Sequence, residues 1–117
     1  MVEQATREAG ARRQAASYSH ALLLSGEVYL LAHRLADAQA AATASLEHFR
    51  RQGERAHEAW ALRLLGDVTA RGSAVAMADA GTYYRAARDL AAALGMAPLV
   101  SRCERALTDL ANRRQAP

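Results

Sequence analysis

Arg63, Asp67 and Arg71 stand four residues apart, and the same order of residue types returns at Arg105, Asp109 and Arg113. On a helix of 3.6 residues per turn that spacing stacks cation, anion and cation along one face, where forked Arg donors can meet the carboxylates of a partner. Glu27 takes the place of the two aspartates in an earlier stretch, and His20, Trp60 and Arg102 stand seven residues before the three acids. Trp60 adds an apolar anchor to a face that is otherwise polar. These ten side chains form the candidate partner-binding surface. The plainer alternative is a solvated ladder of intrahelical pairs, each worth about 0.3–0.5 kcal/mol.

Other chemistries find little support. His20, His33, His48 and His57 are not accompanied by an HExxH or paired Cys/His spacing, and the seven glycines form neither a phosphate-binding loop nor a dinucleotide fingerprint. Cys103 is the only cysteine, which excludes an internal disulfide and suits a buried helix position. We expect no catalytic residue, no metal ligand and no cofactor. An Arg-rich face raises RNA as a ligand, but Trp60 alone on it could stack a base, so nucleic acid is the weaker expectation.

The elements that must carry this face follow from composition. The 117 residues fit one domain with a modest core, and the chain holds 30 alanines and 15 arginines but no lysine or isoleucine. Strand-favouring residues are scarce, so an all-α fold is expected. The net charge of +3 comes from arginines interspersed with 12 acidic residues. The start of the chain lacks the apolar segment of a signal peptide and no run is long enough to span a bilayer, so a soluble, cytoplasmic protein is expected. The absence of Lys and Ile suggests a GC-rich bacterial source.

The stretch from Gly53 to Thr69 reads as the organising helix, with Ala61, Leu62, Leu64, Leu65 and Val68 on a broad apolar arc. Around it we expect a partial or mobile helix over 1–10 closed by Gly10, a first helix pair over 12–52, a second over 54–94, a terminal helix over 97–112 and a frayed tail over 113–117. In the first long helix, Ala21, Leu22, Leu24, Val28, Tyr29 and Ala32 are expected to line one side. In the last, Val100, Cys103, Leu107 and Leu110 share a register, and their apolar stripe is expected to lie exposed and drive self-association.

Leu22 to Val28 aligns with Leu62 to Val68 forty residues on, which marks an internal repeat. Small residues recur at the helix crossings: Gly26 with Ala38, Ala42 and Ser45, then Gly66 with Ala80 and Ala87, with Tyr29 and Tyr84 to fill adjoining gaps. These positions resemble the tetratricopeptide repeat (TPR), although Thr69 stands where that pattern has an aromatic and Thr108 where it has glycine. The resemblance implies antiparallel helix pairs stacked as a short right-handed solenoid of about five helices, with the first helix of each pair lining a concave surface. The stretch from Gly53 to Leu107 is similar, more narrowly, to the C-terminal TPR segments of bacterial signalling proteins that join an adenylate/guanylate cyclase domain, an ATPase domain and a TPR tail. Related tails occur in ATPase-containing LuxR-type transcription regulators. By that resemblance the chain is a non-catalytic protein-interaction or regulatory module. It would bind a protein or peptide, an acidic one in particular, contact neighbouring domains or form a homodimer. A small-molecule-sensing domain and an RNA-binding repeat are the alternatives.

Overall fold

A computed structural model of the chain describes residues 2–115, without the side chains of residues 2, 3, 15, 16, 74 and 75. Five helices follow one another: α1 (Val2–Leu31), α2 (Leu35–Gln52), α3 (Arg55–Ala70), α4 (Ala74–Ala93) and α5 (Ala97–Gln115), with no strand among the described residues. None of them is long and apolar enough to cross a membrane.

Three of the four turns close in the same way. His33, Gly53 and Gly95 adopt left-handed backbone at φ 60°, 69° and 73°. The amide of the next residue then reaches back five positions, Arg34 to Tyr29 O at 2.9 Å, Glu54 to Phe49 O at 2.9 Å and Met96 to Ala91 O at 2.8 Å, which satisfies carbonyls that a helix end leaves without partners. The fourth turn uses a different start signal: the Ser73 side chain accepts from the Ala76 amide at 3.4 Å and caps α4. Connections this short force neighbouring helices antiparallel.

Each helix packs on the next in the chain, and α3 also touches both α1 and α5. That central position explains its burial: ten of its sixteen residues are buried, Glu58 and Arg63 included. One core cluster joins Leu30 of α1, Phe49 of α2, Leu64 and Leu65 of α3, and Leu99 and Cys103 of α5. A smaller one holds Ala70, Ala80, Tyr84 and Leu110. The α1/α2 crossing is close because Gly26 has no side chain. A Cβ there would lie 3.5 Å from both Ala38 O and Ala42 N, and 2.8 Å from a Leu64 methyl.

The long first helix departs from expectation twice. Gly10 does not end it: α1 runs unbroken from Val2 to Leu31, because a glycine between good helix formers costs only about 1 kcal/mol against alanine and nothing else opposes the helix there. Its packed side carries Ser19, Gly26 and Leu30, with Leu23 and Tyr29 partly buried. Ala21, Leu24, Val28 and Ala32 instead lie exposed. The terminal helix departs too. It extends to Gln115, past the expected end at 112, and only residues 116 and 117 of the expected frayed tail lie outside the described residues. Its stripe is not exposed: Cys103 and Leu110 are buried and Val100 and Leu107 partly so, because α5 folds back onto α4.

Candidate functional site

The centre of the site is Arg63. The α3 helix places it and Asp67 one turn apart, and the Arg63 guanidinium donates to Asp67 with one terminal nitrogen and to Glu27 of α1 with the other. The second Asp67 oxygen accepts from the Tyr84 hydroxyl of α4. Three helices are thereby joined through one polar cluster. The Arg63 side chain is only 5% exposed, against 33% for Glu27 and 25% for Asp67.

The cluster perturbs its members as burial and charge require. Burial works against the Arg63 cation, but Asp67 and Glu27 more than offset it and hold the guanidinium above its ordinary value. Burial also pushes the Tyr84 phenol well up, with the hydrogen bond to Asp67 and that carboxylate's charge adding to it. The nearby Cys103 thiol is raised chiefly by burial, which leaves it a poor nucleophile. The Arg63 Nε is buried with no hydrogen-bond partner among the described residues.

A second device repeats along the same face. Arg71, in the turn after α3, donates to Leu30 O near the end of α1 at 2.9 Å, and Arg113 of α5 donates to Ala70 O at the end of α3 at 3.0 Å. Each arginine therefore holds a carbonyl at the C-terminal end of an earlier helix, α1 for Arg71 and α3 for Arg113, where positive charge is also favoured by the helix dipole. Between these two clamps and the Arg63 cluster lies an open cleft of about 370 Å³. Four arginines (Arg63, Arg71, Arg102 and Arg113) line it against two carboxylates, Glu27 and Asp67.

Six of the ten expected side chains thus meet at one cleft: Glu27, Arg63, Asp67, Arg71, Arg102 and Arg113. Trp60 stands beside them, partly buried, with the Arg63 and Arg102 guanidinium carbons 5.5 and 5.9 Å from its ring centre. The other three are elsewhere. His20 lies near the far end of α3, its Nε2 2.8 Å from His57 Nε2 and its ring edge-on to Phe49. Arg105 and Asp109 are exposed on α5 and line a separate depression with Glu104 and Thr108. Arg105 is exposed and makes no ion pair among the described residues, so it has no counterpart to the Arg63–Glu27 bridge.

Tyr84 is the participant that sequence reading assigned only a space-filling part. Its ring does fill space: a Cβ on Gly66 would lie 2.6 Å from it. The same proximity delivers its hydroxyl to Asp67. Among the described residues no three His, Cys, Asp or Glu side chains stand together as a metal would need. What the arrangement offers chemically is a fixed set of cationic donors around a cleft. Comparison with known proteins finds no matching family model, curated protein or solved structure.

Proposed function

We propose that the chain is a non-catalytic, cytoplasmic protein-interaction module of TPR type, in which α1/α2 and α3/α4 are two stacked helix pairs and α5 follows as an unpaired helix. Its place is the tail of a larger bacterial signalling protein of the cyclase–ATPase kind. The internal repeat supports this reading, since Arg71 to Leu30 and Arg113 to Ala70 are one contact made twice between successive first-of-pair helices. The ligand is an acidic peptide segment or an acidic face of a neighbouring domain.

The cleft carries this reading. Its two carboxylates are engaged by Arg63, while Arg102 makes no ion pair among the described residues and lies against Trp60. The exposed guanidinium edges of Arg71, Arg102 and Arg113 therefore meet an incoming ligand as cationic forks. Arg63 serves the fold and positions the cleft.

Trp60 is the only tryptophan, so its emission reports on the cleft without a label. Titration with a Glu-rich peptide is expected to shift that emission with a Kd that weakens as salt rises. Arg102→Ala with Arg113→Ala is expected to abolish the shift, and a Lys-rich peptide to give none. An equal response of the double variant, or no response to any acidic peptide, removes the acidic-peptide reading.

A further inference from the structure

The helix α1 is apolar on two opposite sides. One side packs on α2 and α3; on the other, Ala21, Leu24, Val28 and Leu31 recur at intervals of three and four, and the small, exposed Ser17 continues the same row one turn earlier. Leu24 is 66% exposed, Val28 62% and Leu31 76%. A period of 3.5 with leucine and a β-branched residue alternating is the seam of a coiled coil and calls for a second helix along it.

The same helix also reaches past the body that supports it. Going back toward its start, it meets the neighbouring helices at His20, which faces His57 in the first turns of α3, at Ser19, which donates to Gln52 at the end of α2 at 3.3 Å, and at Tyr18, whose ring stands edge-on to His48 of α2 at 5.1 Å. Residues Gln4 to Glu8 and Ala11 to Gln14 are exposed, and a helical arm of that length is marginal in water without packing along its side. One molecule therefore has an apolar seam without a helix and a helical arm that extends beyond the core.

We infer that a second copy of this chain supplies both, with α1 packed antiparallel on α1 about a two-fold axis near Ser19. In that register each Leu24 faces Gln14 of the second copy, Val28 faces Gly10, Leu31 lies along the stem of Arg7, and Ser17 faces Ala21. The two small residues let the helices approach closely beside the axis. Gly10 is where an approaching side chain needs room, and a Cβ built there meets nothing within 4 Å. Charge agrees with the register. Arg13, exposed on the arm, comes beside Glu27 of the second copy, whose side chain remains one-third exposed.

Other occupants fit less well. Another unit of the same repeat would be held by arginines at the positions of Arg63 and Arg71, and α1 has Leu23 and Leu31 there. Head-to-tail stacking would bring the seam against the exposed outer face of α5, which is polar at Glu104, Arg105, Thr108 and Asp109. The uncovered arm of a second copy is the helix that reaches this seam, and it brings Arg13 to Glu27.

Sedimentation equilibrium of the full chain is expected to give a dimer mass, and the Leu24→Glu/Val28→Glu variant a monomer mass with a cooperative melting transition that no longer depends on protein concentration, since both side chains are exposed. Register is read by cross-linking in a Cys103→Ala background. Tyr18→Cys places two thiols close to the axis and is expected to link through a short bismaleimide. Leu31→Cys places them about 36 Å apart at 1.5 Å per residue and is expected not to link. A wild-type chain that stays monomeric up to about 1 mM, the range of weak transient pairs, overturns the inference. So does a Glu variant that still dimerises, or linkage through Leu31→Cys in place of Tyr18→Cys.

Discussion

Arg63 and Glu27 are joined across the α1/α3 boundary by a guanidinium–carboxylate bond whose cation is almost wholly buried. Because Asp67 shares the same guanidinium, removing the cation leaves two carboxylates without the group that bridges them. Arg63→Met keeps most of the volume and is expected to cost about 2–4 kcal/mol, less than the loss of one partner of a fully buried pair because the two carboxylates left behind are partly exposed. Adding Glu27→Gln and Asp67→Asn to that variant is expected to recover part of the loss. Urea unfolding of the wild type, Arg63→Met, the two-carboxylate variant and the combination of all three changes closes a cycle that separates the bridge from simple packing.

Glycine at 66 and glycine at 10 answer the same substitution with opposite signs. A Cβ on Gly66 meets the Tyr84 ring at 2.6–3.0 Å, and that ring is fixed both by burial and by its bond to Asp67. Gly66→Ala is expected to destabilise by about 1–3 kcal/mol through overpacking. Gly10 lies in the arm of α1, where a Cβ meets no atom of its own chain, so in the monomeric Leu24→Glu/Val28→Glu background, where no second copy packs on it, Gly10→Ala is expected to stabilise by up to about 1 kcal/mol from helix propensity. Thermal unfolding by circular dichroism reads both.

The central part of the molecule was legible because its signals are local and repeated. The Arg–acid–Arg spacing of Arg63, Asp67 and Arg71 needs only a helix to bring the three together, and the forty-residue echo locates Gly26 and Gly66 at crossings. The outer helices were not legible for a physical reason in each case. The apolar residues of α1 cover two opposite sides, so periodicity names no single buried arc, and the choice falls to what packs beside it. In α5 the spacing of Val100, Cys103, Leu107 and Leu110 marks an apolar stripe but cannot say whether the helix folds inward. Arg105 and Asp109 copy the residue types of Arg63 and Asp67 without their surroundings. No described helix follows α5 to offer Asp109 a counterpart of Tyr84.

Tyr84 makes stability depend on alkaline pH. Its folded-state pKa is raised above the unfolded value of about 10, so the unfolded chain releases that proton first. The contribution is fully present below about pH 10 and is lost as pH rises beyond it toward the folded value. Urea midpoints followed from neutrality to about pH 11 are expected to fall steeply at the top of that range. Tyr84→Phe is expected to lower the stability at neutral pH by about 1–3 kcal/mol, because Asp67 loses a donor. It also flattens the alkaline limb. Absorbance at the phenolate band should show one phenol fewer appearing with unfolding. An alkaline limb unchanged by the substitution would assign the effect to another group.

Arg71 and Arg113 make one kind of contact at two successive boundaries, and that repetition predicts how their losses combine. Each holds a single helix-end carbonyl, Leu30 O or Ala70 O, from a side chain that is itself exposed. Either arginine changed to alanine is therefore expected to cost about 1 kcal/mol, below the usual value for a hydrogen bond from a charged donor because the guanidinium is solvated. The carbonyls belong to different helices and the two bonds share no group. If the boundaries behave as nearest-neighbour contacts, the double variant should lose the sum within about 0.5 kcal/mol. If the cleft instead acts as one electrostatic unit, the mutual repulsion of the lining arginines is relieved in the double variant, and its loss falls clearly short of the sum. Denaturant unfolding of both single variants and the double variant decides it. Additivity that persists at low and at high salt would establish Arg71 and Arg113 as independent clamps.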